Sequence, residues 1–117
     1  MSLKNGTGVD YPQVELGGVT YTVKCTRGAL LFRLSRKGAS IADLGDPKTR
    51  FAALFNIFTA FIGDQANGKT AEDFAELAME ENRVGAVDIA VGQAIPKVFP
   101  STQAPAPAAE DVALLPN

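Results

Sequence analysis

Residues 51 to 62 read FAALFNIFTAFI, an uncharged run that holds four of the chain's seven phenylalanines and is bounded by Gly63. Any fold this chain adopts must bury that segment. A membrane span needs about 20 apolar residues, and the run offers 12 between Arg50 and the polar stretch from Asp64, so spanning is excluded. At about 100° per residue, Phe51, Leu54, Phe55, Ile57, Phe58, Phe61 and Ile62 fall within one arc of about 160°. Ala52, Ala53, Asn56, Thr59 and Ala60 take the opposite side. Sorting by size at helical period, where a strand would alternate, predicts a central helix. Burying seven large side chains at ~2 kcal/mol each puts about 14 kcal/mol at stake, comparable to the whole stability of a small domain. The small uncharged face is either further core or a place where a partner backbone approaches closely.

The elements that could cover this helix flank it in sequence. In VELGGVTYTVKC two alternating runs surround Gly17-Gly18, a pair suited to a two-residue hairpin turn. Pairing Leu16 with Val19 and Val14 with Tyr21 puts these residues on a core face, continued by Val23 and Cys25. Glu15 with Thr20 and Gln13 with Thr22 fall on the wet face. Cys25 reads as a small core residue at the strand end. Next, TRGALLFRLSRKG sets Leu30, Leu31 and Leu34 on one side of a helix and Arg33, Arg36 and Lys37 on the other, with Gly38 as C-terminal cap. Lys24 to Lys37 carries five basic residues and no acid, which is either a solvated face favourable at a helix C-terminus or a docking surface.

Asp46-Pro47 reads as the N-cap and first residue of the central helix, and Gly63 as its stop. Thr70 and Asp73 resemble a capping box opening a third helix through TAEDFAELAMEEN. Its inner stripe is Ala71, Phe74, Leu77 and Ala78, and its outer face Glu72, Asp73, Glu76 and Glu80. Residues 85 to 95, GAVDIAVGQAI, predict a weaker fourth helix ended by Pro96. The expected fold is therefore α+β: an N-terminal two-stranded antiparallel hairpin packed on a small bundle of three to four helices, within residues 11–95. Residues 1–10 read as a flexible N-terminus. Residues 96–117, with five of the seven prolines and an apolar cluster at Val112, Leu114 and Leu115, read as an extended or disordered arm.

Several chemistries are closed by composition. The chain has no histidine and a single cysteine, which removes Ser-His-Asp and Cys-His catalysis, internal disulfides and cysteine metal clusters. No catalytic residue, cofactor or metal is expected. A net charge of −2, from 11 basic and 13 acidic residues, and the separation of aromatics from basic residues argue against nucleic acid. MSLKNGTGVD lacks an apolar signal region, so an intracellular protein is expected. Gly63 to Thr70, GDQANGKT, does match the phosphate-loop pattern, with Lys69 for the phosphates and Thr70 for magnesium. That fold needs βαβ units of ~30 residues or more, and only 47 residues follow Thr70. A helix-to-helix connection also calls for a glycine and a polar N-cap, so the pattern arises without nucleotide binding, and a small nucleotide-binding protein using this loop is the alternative rather than the main reading.

The order of these parts resembles a known family. A hairpin written VELGGVTYTVKC, a helix from GALLFRL to RKGASI, a long apolar helix, then TAEDFAELAMEE and a weak last helix before a Pro/Ala-rich end are similar to the small tail assembly chaperones of long-tailed bacteriophages and gene transfer agents. The similarity covers about residues 13 to 95. The resemblance implies a non-enzymatic protein of the host cytoplasm that binds the tape measure protein, helps recruit tail tube protein subunits and is absent from the mature virion. It also implies a longer frameshifted product diverging near residues 96 to 117. A homo-oligomer is compatible with this reading, and a structural head-tail connector or tail-completion subunit is a further alternative. The expected partner surface is Ala53, Asn56 and Ala60 with the basic face Arg33, Arg36 and Lys37.

Overall fold

The computed structural model describes residues 11–99, and the expectations for residues 1–10 and 100–117 lie outside them. Gly17 and Gly18 both take positive φ, +60° and +80°, which glycine adopts without a Cβ clash. They close an antiparallel hairpin of β1 (Gln13–Leu16) and β2 (Val19–Thr22), paired Val14 with Tyr21 and Leu16 with Val19 as the alternation predicts. Val14, Leu16, Tyr21 and Val23 are buried, but Val19, beside the turn, is 47% exposed. A core face one residue from a solvent-facing turn runs out of neighbours.

Four helices follow: α1 (Arg27–Lys37), α2 (Arg50–Ile62), α3 (Ala71–Glu80) and α4 (Val84–Val98). The fold is α+β, with the hairpin laid on a helical bundle. Thr26 caps α1 by accepting from the Ala29 amide at 3.1 Å, and Gly38 ends it in the left-handed region. Leu30 and Leu34 are buried, whereas Leu31 is 48% exposed, so the predicted three-leucine core stripe is two wide.

Between α1 and α2 a short 3₁₀ turn (Ile41–Gly45) opens on a Ser40/Asp43 capping box. This turn delays α2. Asp46 does cap, its Oδ1 accepting from the Lys48 amide at 2.9 Å, yet the residues after it form turns and α2 starts at Arg50 rather than at Pro47. The Thr49 hydroxyl donates to the Asp43 carbonyl at 2.8 Å, holding the chain in that bend.

The central role of α2 holds, but its buried surface differs from the expected arc. Six of the seven large residues are buried together with Ala53, Thr59 and Ala60, while Phe51 is 49% exposed. Burial is graded along the axis: the first turn is open and the rest is enclosed. α2 packs against α1, α3 and α4, and a helix surrounded by three others has little free side left. Its Phe58 meets Tyr21 and Phe74 edge-to-face, with centroids 6.1 and 5.4 Å apart, so strand, central helix and α3 share one aromatic contact.

The Thr70/Asp73 box forms in both directions, at 2.9 and 3.1 Å, and places Phe74 and Ala78 inside. α4 does not stop at Pro96. It continues to Val98, the Phe99 amide donating to the Ile95 carbonyl at 2.9 Å. The carbonyl that Pro96 leaves without its helical donor belongs to Gly92, which is exposed. Arg27 Nε donates to the Val98 carbonyl at 3.0 Å and its guanidinium lies over the Phe99 ring. The Arg27 contacts at the C-terminal end of this turn hold the helix past the proline.

Candidate functional site

α1 lies between two concavities of opposite chemistry. On one side an apolar groove of about 580 Å³ is walled by Leu31, Leu34, Ala39, Ile41, Ile95 and Phe99, with Ser35 and Ser40 at its edge. Leu31 contributes here because it is left out of the core. Ile95 and Phe99 come from the segment where the helix was expected to end, although Val91, Ala94, Ile95 and Val98 already carry helical spacing that a reader could follow past Pro96.

On the other side, Arg33, Arg36, Lys37 and Lys69 surround a cavity of about 370 Å³ floored by Thr59, Ala60, Gly63 and Ala66. Arg33 is the anchor: its Nη1 donates to the Ala60 carbonyl at 2.8 Å, at the C-terminal end of α2. The Gly63 backbone passes directly beneath it. The structure thus brings together Arg33, Arg36, Lys37 and Ala60 of the expected partner surface, and adds Lys69, whose sequence signal had been the phosphate-loop pattern.

The remaining two residues do not join them. Ala53 is 3% exposed and Ala60 only 1%, so at these two alanines the small face of α2 is used by the chain's own helices and is closed to a partner backbone. The close approach anticipated for these alanines is made internally. Asn56 is half-buried and lines a third concavity of about 260 Å³ with Phe51, Ala52, Phe55, Ala71 and Ala75.

The GDQANGKT loop has other work. A helix, not a strand, leads into it, and it forms a 3₁₀ turn (Gly63–Ala66) before Asn67 in the left-handed region. The Asn67 and Lys69 amides donate to Asp64 and Ala66 carbonyls, and Thr70 is committed to its capping box, so these groups do not form a phosphate cradle. Gln65 reaches across to β2: Thr22 N donates to Gln65 Oε1, and Gln65 Nε2 donates to the Thr22 carbonyl, both at 2.9 Å. A side-chain amide here completes the outer edge of a strand.

Cys25 is half-buried against the core. Burial pushes its thiol up from the ordinary value and the Arg33 guanidinium only partly opposes this, the reverse of an activated nucleophile. Among the described residues no group of His, Cys, Asp and Glu is placed to hold a metal, and no helix is long and apolar enough to cross a membrane. Comparison of the chain with protein-family models, curated proteins and solved structures returned no match.

Proposed function

We propose that this is a non-enzymatic binding protein that shields an apolar helical partner, acting as a tail assembly chaperone for a phage tape measure protein. The observation that carries the reading is the groove between α1 and α4, about 580 Å³ in volume and walled mainly by aliphatic side chains. An amphipathic helix lays its apolar stripe into such a groove. A long, self-adhesive helical protein kept soluble during assembly presents that kind of stripe. The sequence resemblance supplies the partner's identity, with tail tube subunits recruited afterwards in the host cytoplasm. The alanines of α2 drop out of the contact, and Leu31, half-exposed at the groove, replaces them.

Co-expression with a tape measure protein tests this. Leu31→Glu leaves the core leucines in place and puts a charge into the groove, so soluble tape measure protein and its co-purification are expected to fall at least about tenfold, as losing one well-buried apolar anchor would require. Undiminished co-purification with Leu31→Glu would remove the groove as the contact. For the nucleotide alternative, calorimetry with Mg-ATP is expected to give no saturable heat, because the Asn67, Lys69 and Thr70 amides and the Thr70 hydroxyl are already engaged.

A further inference from the structure

Two stripes of opposite charge lie on this molecule, and among the described residues no ion pair joins either to a counter-charge. In the basic cavity, the C-terminal ends of α1 and α2 meet four cations. Two helix termini amount to about one negative charge in total, so one guanidinium, that of Arg33 on the Ala60 carbonyl, meets most of that demand. About three positive charges are left over. Among the described residues no acid lines the cavity, and the one ion pair joins Arg50 to Asp88 elsewhere.

α3 carries the counterpart. Glu72, Glu76 and Glu80 recur every four residues and are all exposed, making one line of carboxylates with about 6 Å between steps. Asp73 beside them is held in its capping box. Arg33 and Lys37 on α1 have the same four-residue spacing. Like charges at this spacing repel one another along a helix, so each stripe gains from an opposite charge, and the two are complementary in sign and equal in step.

We propose that the basic cavity of one copy receives the Glu72–Glu76–Glu80 stripe of a second copy, joining chains through α1 of one and α3 of the next. The contact is electrostatic at an open rim, so it is salt-sensitive and adjustable by concentration. It uses neither the apolar groove nor Leu31, and stands or falls separately from the chaperone role.

Sedimentation analysis of the full chain tests it, with two neutralised variants. Arg36→Gln/Lys37→Gln disables the cavity, and Glu76→Gln/Glu80→Gln disables the stripe. All four positions are exposed, and far-UV circular dichroism checks that the fold is kept. At ~0.05 M salt the unmodified chain is expected to exceed its single-chain mass of 12.3 kDa increasingly with concentration. Raising salt to ~0.5 M, which shortens the Debye length roughly threefold, should weaken association about tenfold or more. Each variant alone should remain a single chain. An equimolar mixture pairs an intact stripe with an intact cavity, and should recover a two-chain species. A single-chain mass for the unmodified protein at ~1 mM and low salt overturns the proposal, as does undiminished association of either variant or a mixture that forms no complex.

Discussion

Gly63 and Arg33 show how much can rest on two residues far apart in sequence. Gly63 sits at φ +55°, ψ −121°, a conformation closed to side chains, and a Cβ there would lie 2.7 Å from Arg33 Nη1. It both ends α2 and clears the space for the guanidinium that caps it. The stop was legible from the glycine alone. The clearance was not, because no local pattern reports a partner on another helix. Cys25 makes a prediction at the same scale. Its thiol is held above the ordinary value of 9.0 by burial, so the folded state keeps its proton to higher pH than the unfolded state does. The stability this adds is complete below 9.0 and is lost as pH rises through the folded value. Urea midpoints compared between the chain and Cys25→Ala should therefore diverge from about pH 9 upward, the cysteine chain losing more. Parallel pH profiles would sink the claim, as would rapid alkylation of the native thiol near neutral pH.

At the level of elements, the hairpin depends on side chains from outside it. A two-stranded hairpin is marginal alone in water. Here Gln65 closes the outer edge of β2 at Thr22, and the Glu81 carboxylate, just after α3, accepts from the Gly17 amide at 3.1 and 3.0 Å. Gln65→Ala removes two hydrogen bonds to the strand edge and should cost about 1–2 kcal/mol. It should also raise hydrogen exchange at the Thr22 amide while leaving the α4 amides unchanged, and unaltered protection at Thr22 would show that the edge does not need the glutamine. The strands and their register were readable because alternation and a glycine pair are local signals. The edge closure was hidden in a loop that imitates a phosphate-binding motif, since nothing in GDQANGKT says that its third residue faces a strand 43 positions earlier. The end of α4 was misjudged for a related reason: proline is a strong local stop, and the Arg27 contact that carries the helix past it comes from α1.

Across the whole molecule, α2 is the element every other helix leans on. Phe58 is fully buried and meets a ring from the hairpin and a ring from α3. Phe58→Ala should destabilise by about 3–5 kcal/mol, a large share of the roughly 5–15 kcal/mol that holds a domain of this size. Thermal melts should then show a lower Tm for hairpin and helices in one transition. A hairpin signal that melts separately from the helices would mean that the shared aromatic contact does not couple them. The Arg50–Asp88 pair, at 2.8 Å between half-exposed side chains, spans α2 and α4 but contributes at most about 1 kcal/mol in water.

The α+β class, the hairpin register, the order of helices, the Thr70/Asp73 start of α3 and the identity of the central helix were determined by the sequence itself. Each follows from periodicity, capping or turn chemistry acting over a few residues. Which faces of those elements remain open was decided by the tertiary structure. The small face of α2 looked spare on a helical wheel, yet the surrounding helices close over Ala53 and Ala60, because small residues let a neighbouring helix approach as readily as an outside partner. Leu31 looked like core and instead walls a groove. Lys69 stood out in sequence only through the phosphate-loop pattern, and the fold sets it beside three cations from α1. Burial and charge convergence are properties of what lies across the fold, and a linear pattern records only what lies along the chain.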